Sequence, residues 1–214
     1  PYSLYQGISI SKFSLSNQKK LIKNFTIISE FLNLIILKYD KVFFTLSPNF
    51  TDLRPFQWLN FHEEDKPKFN LDIRYTGIIY LDNYKDFTDY LKTIRSVRRR
   101  TINHANRNKL KVLESNDIDL FIDLFKKTFD RQSIEVSNLE MVRSIILNSI
   151  DYGYGRMTFC VDDCNNVHSG MVILKDKYSA YYAFGASDPE YRKSDAATVL
   201  MGDSIKNAFD LGLR

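Results

Sequence analysis

A chain of 214 residues, 44% of them apolar, has enough apolar surface for a packed core and falls between one large domain and two small ones. No apolar run approaches the roughly eighteen residues of a membrane-spanning helix, which rejects a transmembrane reading. The net charge of +4 conceals an asymmetry: eight Lys or Arg and no acid lie between Lys92 and Lys111, so that segment carries +8 and the remainder −4.

From 17 to 37, apolar residues recur at 21, 22, 25, 28, 32 and 35, which predicts an amphipathic helix with Lys19, Lys20 and Lys23 on its wet side. KVFFTL at 41–46 predicts a strand. In SPNFTDLRPFQWLNF, Pro48 and Pro55 interrupt regular structure while Phe50, Phe56, Trp58 and Phe61 call for burial, so this is an irregular but packed connection. HEEDKPK at 62–68 is the most polar, loop-like stretch. LDIRYTGIIYL at 71–81 is β-branched and aromatic enough for a second strand, and the pattern over 86–106 predicts one long helix.

A short strand over 111–113 follows, then a helix capped by Asn116, with Asp119 three positions on and an apolar stripe of Phe121, Leu124, Phe125 and Phe129. Another helix spans 138–150, and the glycines of YGYG end it. Three strands are predicted at 156–161, 167–175 and 178–186. The gaps between them, DDCNN and DK, are hairpin lengths, so they form an antiparallel meander. A final helix runs over 194–211.

Cys160, Cys164 and His168 form C-x3-C-x3-H, residue types that ligate zinc. Closed zinc sites use four ligands at tighter spacings, so the segment reads instead as a hairpin, with His168 on the return strand and no metal assigned. Two cysteines are too few for a disulfide framework and favour a reducing, cytoplasmic setting. Pro1 in place of a methionine, with no signal-type stretch behind it, suggests a trimmed or partial chain.

On a continuous helix at about 100° per residue, Leu91, Ile94, Thr101, Ile102 and Ala105 fall within about 60° of Phe87, and Arg98 lies near 20° in that stripe. An arginine on an apolar face needs an internal carboxylate, a snorkelling path to water, or a phosphate or carboxylate of a substrate. Arg98 is therefore a candidate substrate-binding residue. The other cations between 92 and 111 make either a solvated face or a nucleic-acid contact.

In EYRKSDAATVL, 190–200, a strand end passes through a polar turn into a helix. Backbone N–H groups and the helix dipole meet there, as a pyrophosphate requires. Gly185, Ala186, Arg192, Ser194, Asp195, Ala196 and Ala197 are the candidate cofactor-binding residues. Tyr182, Asp188 and Glu190 near the strand end are candidate catalytic bases. Tyr181 and Tyr182 alternate across the strand, so one packs inside and the other lines an acceptor cleft; Tyr181 is a candidate substrate-binding residue. His62 and His104 read as surface histidines.

From about Leu46 onward the succession LSPNFTDLRPFQW, RSVRRRTINHANRNKLKV, FIDLFKKTFDRQ and YYAFGASDPEYRKSDAATVLMGDSIKNAFDLGL resembles the FemAB-like (BioF2-like) branch of the GNAT acyltransferase superfamily. The resemblance implies an α/β (α+β) GNAT-like fold, a mixed sheet with an antiparallel meander flanked by helices, often present as two related halves. Residues 1–82 would be the C-terminal part of a first half, and 83–214 a second half whose last strands, normally after GLR, are missing. It also implies transfer of an acyl or aminoacyl group to an amine of a cell-envelope or polysaccharide precursor. The amine attacks directly, so positioning and a proton route matter more than a covalent nucleophile.

The family's pyrophosphate motif, Arg/Gln-x-x-Gly-x-Gly/Ala, maps onto Arg192, Asp195 and Ala197, with Asp195 where glycine is expected. Its carboxylate puts negative charge beside the pyrophosphate position, against the helix dipole. The implied donor is acetyl-CoA or another acyl-CoA, or alternatively aminoacyl-tRNA, with no metal. A non-catalytic GNAT-fold binding protein, or a tRNA- or RNA-binding module built on 92–111, are the other readings.

Overall fold

Residues 7–10, 14, 16–105, 109–131, 133 and 138–214 are described by the computed structural model of the chain. Contacts divide it into two compact units, Pro1–Ile78 and Ile79–Arg214.

In the first unit, α1 (Asn17–Lys38) buries Ile28 and Leu32, four residues apart on one face. They pack with Phe56 of α2 (Arg54–Trp58) and with Leu59. Pro55 suits the first turn of α2 because its missing N–H would have had no intrahelical acceptor. Phe56 meets Phe44 and Phe69 edge-on at 5.7 and 5.3 Å between centroids. A five-residue helix turns few side chains inward, so Trp58 and Phe61 stay 57% and 64% exposed, against the expectation that both are covered. Trp58 finds an edge contact with Phe25 at 5.5 Å.

The strands expected at 41–46 and 71–81 do not form among the described residues. A strand is stabilised by the neighbour it pairs with, and neither run has a ladder partner; side chains 72–80 are all exposed.

The second unit opens on a 3-10 turn, Leu81–Asn83, and then two helices, α3 (Phe87–Thr93) and α4 (Ser96–Asn103), where one long helix was expected. The expected end at Asn106 lies outside the described residues. Ile94 and Arg95 are extended, with ψ of 159° and 135°. Side chains take the carbonyls that a continuing helix would use: Thr93 Oγ1 donates to Tyr90 O and Arg99 Nη1 to Lys92 O.

β1 (Lys111–Glu114), β2 (Gly155–Val161), β3 (Val167–Lys175) and β4 (Ala180–Ser187) form an antiparallel sheet in sequential order. Between β1 and β2 run α5 (Ile118–Asp130) and α6 (Leu139–Asp151). Asp117 caps α5, accepting from Leu120 N, which corrects the expected Asn116 cap by one residue; Asn138 caps α6 through Met141 N. Gly153, at φ 73°, supplies the left-handed exit of α6.

α5 and α6 cover one face of the sheet, where Phe121, Phe125 and Ile146 pack on Phe159, Val172 and Leu174. α7 (Ala196–Asp210) covers the other, where Val199 and Leu200 pack on Cys160 and Met171. Met171 and Val172 pointing to opposite faces is the two-residue alternation read in the sequence. Among the described residues no helix is long and apolar enough to cross a membrane.

Candidate functional site

The strand β4 carries one irregularity. Phe184 pairs with Val172 but Tyr182 with Ile173, so Ala183 is an extra residue in β4. The bulge puts Tyr182 and Gly185, three residues apart, on the same α7-facing side, opposite Ile173 and Met171. Tyr182 folds over Gly185: a β-carbon there would stand 1.7 Å from the tyrosine hydroxyl. The ring is nonetheless 54% exposed, and the burial of its hydroxyl end pushes the phenol pKa up. A phenol of raised pKa stays protonated at neutral pH, so it is placed to donate a proton and not to act as a base. Tyr181 points to the α5/α6 face, half-buried, with its hydroxyl donating to Asp176 Oδ2 at 2.7 Å.

After β4 the chain turns through Asp188 into the 3-10 turn Pro189–Ser194. Asp188 is buried, accepts from Glu190 N, and faces the Lys127 ammonium of α5 at 2.6 Å. Burial pushes its pKa up, but the Lys127 ammonium and the Glu190 amide outweigh this and hold the carboxyl below its ordinary range. A carboxylate so engaged is a weak proton acceptor. Glu190 and Arg192 are exposed. Tyr191 stacks on His168 of β3, with 4.1 Å between centroids and 5° between planes, and His168 Nε2 faces Asp162 Oδ2 at 3.3 Å. This stack ties the middle of the turn to the β2–β3 hairpin.

The turn then delivers Asp195 at φ 58°, ψ 21°, the left-handed conformation that favours glycine. The motif that this turn resembles has a glycine at the position, and the backbone has a conformation that favours glycine although the residue is aspartate. Asp195 makes no side-chain cap, and its carboxylate lies 3.9 Å from the Arg98 guanidinium of α4. The charge that would repel a donor's phosphate is partly answered by an arginine. Arg98 Nη1 also donates to Thr198 Oγ1 at 2.5 Å, in the first turn of α7.

Arg98, expected on an apolar stripe, is 58% exposed at its side chain and lines a groove beside α7 together with Ile94 and Ile102 of that stripe. Ser194 Oγ accepts from Ala196 N at 3.3 Å, Ala196 is buried and Ala197 is exposed. The Ala197 amide stands among the first N–H groups of the helix, which have no intrahelical acceptor.

The structure therefore gathers Arg98, Asp195 and Ala197 at the start of α7, with Tyr182 and Gly185 on the same face of the sheet. Ala186, Tyr181 and Asp188 belong to the opposite face. Thr198 and Lys127 were missed by sequence reasoning, since each acts through a partner distant in the chain, 100 and 61 positions away. Such a cradle suits the phosphate end of an acyl-CoA: Arg98, the Ala197 amide and the turn at Asp195 would hold it, and the acyl thioester would supply the group transferred.

The Acetyltransferase (GNAT) domain family matches residues 89–214. Among solved structures the chain is similar to FemX, with a TM-score of 0.55 and 14% identity over 60% of this chain and 49% of FemX. It is less similar to a predicted acetyltransferase with acetyl-CoA from Clostridium acetobutylicum, with a TM-score of 0.42 and 13% identity over 49% of this chain and 77% of that one. An aminoglycoside acetyltransferase from an uncultured soil metagenomic sample, in complex with sisomicin, gives a TM-score of 0.39 and 18% identity over 50% and 75%. No curated protein matches the chain. The chain spans about half the length of FemX, and that likeness is one of fold. The family match runs from α3 through the whole sheet to the end of α7, over more than half of the sequence, so this chain belongs to the acetyltransferase (GNAT) domain family.

Proposed function

We propose that the protein is an N-acyltransferase that moves an acyl group from a donor held at the start of α7 to a primary amine. The observation that carries this reading is the left-handed Asp195 at the head of a fifteen-residue helix, within 3.9 Å of Arg98. It supports a phosphate cradle because the backbone already has the glycine-like turn and a guanidinium attends the one opposing charge. In this reading the neutral amine attacks the thioester carbonyl directly, the C–N bond forms as the C–S bond breaks, Tyr182 protonates the departing thiolate, and the proton shed by the amine passes to water, from which the phenolate is reprotonated. Acyl-CoA is the donor. The acceptor is an amine on a cell-envelope or polysaccharide precursor, as the FemAB-like resemblance implies.

The test is thermal stabilisation. Saturating acetyl-CoA raises the melting temperature, and Asp195→Gly enlarges that rise by removing the carboxylate beside the phosphates. If acetyl-CoA moves the melting temperature of neither protein, the acyl-CoA reading fails. A second reading takes aminoacyl-tRNA as donor and is favoured by the exposed Arg95 and Arg100 of the segment that holds Arg98. Charged tRNA binding with an affinity that depends on Arg98, in the absence of any acetyl-CoA effect, selects it.

A further inference from the structure

The apolar stripe of α1 outruns the chain that covers it. At about 100° per residue, Leu21 and Phe25 lie on the same side of the helix as the buried Ile28 and Leu32, with Ile22 beside them. α2 is only five residues long, and Trp58, the last of them, meets Phe25 edge-on at 5.5 Å. Beyond that contact the stripe lies open: Leu21 is 46% and Ile22 60% exposed, and Trp58 itself 57%. Neighbours at i+3 and i+4 on a helix touch, so Leu21, Ile22, Phe25 and Trp58 make one contiguous apolar patch within the first unit.

The rim of the patch is cationic. By the same helical count Lys20 flanks it on one side and Lys19 and Lys23 on the other, and no acid occurs between 17 and 29. Three cations in the first two turns oppose the helix dipole, so they weaken α1 rather than support it. Arg54 closes the inner edge. Asp52 holds it through hydrogen bonds of 2.7 Å from Nε and from Nη2, and its guanidinium lies 5.4 Å over Phe25 and 5.8 Å over Trp58.

A nucleic acid would stack its bases on aromatic faces, but Arg54 already lies over both rings, and Leu21 and Ile22 offer a base nothing to pair with. A tryptophan beside aliphatic side chains, ringed by lysines with no acid among them, has the composition of a surface that rests in the headgroup layer of an anionic bilayer.

We propose that this patch docks on the surface of an anionic phospholipid bilayer, with Leu21, Ile22 and Trp58 in the interfacial layer and Lys19, Lys20 and Lys23 against the lipid phosphates. The protein lies on such a membrane without a helix that crosses it among the described residues. The inference stands apart from the acyl-transfer reading: every residue that it uses belongs to the first unit, and neither donor nor acceptor enters it.

Trp58 is the single tryptophan of the sequence, so its fluorescence reports this patch alone. The full chain is titrated with vesicles of phosphatidylcholine containing about 30% phosphatidylglycerol. Trp58 emission moves saturably to shorter wavelength, and lipids brominated on their acyl chains quench it. Vesicles of phosphatidylcholine alone bind at least about tenfold more weakly, and added salt weakens binding to the anionic ones. Ile22→Asp, at a position that is already exposed, costs at least about tenfold in vesicle affinity, and so does the triple variant Lys19→Glu, Lys20→Glu, Lys23→Glu. Both keep the circular dichroism of the natural protein, and the triple variant melts no lower, because its new acids suit the helix dipole.

Vesicle sedimentation with unmoved Trp58 emission would assign the binding to the cations of 92–111 and overturn the proposal. Equal vesicle affinity in the natural protein and both variants overturns it, as does a failure to bind anionic vesicles at all. Emission that is already short in buffer and lengthens on dilution overturns it in favour of a second copy on the patch. A shift of Trp58 emission by single-stranded RNA, unchanged in Ile22→Asp, overturns it in favour of a nucleic acid. A failure of acetyl-CoA to stabilise the protein removes only the donor reading and leaves the vesicle result standing.

Discussion

The Lys127 ammonium of α5 and the Asp188 carboxylate at the end of β4 are 2.6 Å apart, 58% and 8% exposed at their side chains. The pair ties the helix to the strand end from which the turn into α7 departs. Lys127→Met leaves a buried carboxylate without its ammonium partner. The expected cost is about 2 kcal/mol in chemical denaturation, between the values for exposed and buried pairs.

The pH dependence has a defined sign. The folded pKa of Asp188 is lowered, so its contribution is present above the unfolded carboxylate value and is lost as pH falls through the folded one. That of Lys127 is raised, chiefly by its hydrogen bond to Asp188, so its contribution is present below the unfolded amine value and is lost as pH rises through the folded one. Stability measured from acid to neutral pH rises in the natural protein, and part of that rise is missing in Lys127→Met. Parallel curves for the two proteins would mean that the pair is not formed in solution.

Asp195 sits where an L-residue is strained, so Asp195→Gly raises the melting temperature without any ligand. The gain is about 0.5–1 kcal/mol, the left-handed penalty less the extra entropy of unfolded glycine. The donor effect is the further increment with acetyl-CoA. Asp195→Val, β-branched at the same φ, lowers stability, and a melting temperature equal to that of the natural protein would refute the turn geometry.

Gly202→Ala gains helix propensity of about 1 kcal/mol yet pushes a β-carbon against Ile102. Overpacking of about 1–3 kcal/mol wins, so the variant is less stable. Ile102→Ala in the same chain removes the clash. In a double-mutant cycle the two changes together cost less than their sum.

Cys160 is fully buried in β2 and burial pushes its thiol up to about 12, whereas Cys164 is exposed in the hairpin turn. Iodoacetamide at neutral pH therefore alkylates one thiol in the folded protein, and mass mapping finds it on Cys164. The second reacts only in denaturant. Rapid labelling of both thiols in buffer would contradict the packing of β2 beneath α7.

The meander was legible in the sequence because two hairpin-length gaps and a two-residue alternation are local signals, and β2 to β4 fall within two residues of their expected bounds. The helix break at Ile94–Arg95 was not. Periodicity over 86–106 suits one helix, and the interruption depends on Thr93 and Arg99 capturing carbonyls that sequence spacing does not assign. Arg98 was singled out for its place on an apolar stripe; the structure keeps it beside Ile94 and Ile102 and adds Thr198 and Asp195, partners that sequence spacing does not assign. In the first unit, β-propensity over 41–46 and 71–81 indicated strands, but propensity does not supply a neighbour.

The extra residue at Ala183 works as a phase shifter for everything upstream of it in its strand. Excising that alanine would restore strict alternation and leave the phenol of Tyr182 on the α7 side, whereas keeping it and drawing it into the ladder opposite Ile173 would swing that phenol into the greasy layer beneath α5 and α6 and turn Tyr181 outward in its stead. Leaving one residue out of the ladder thus decides which of two adjacent tyrosines meets the solvent.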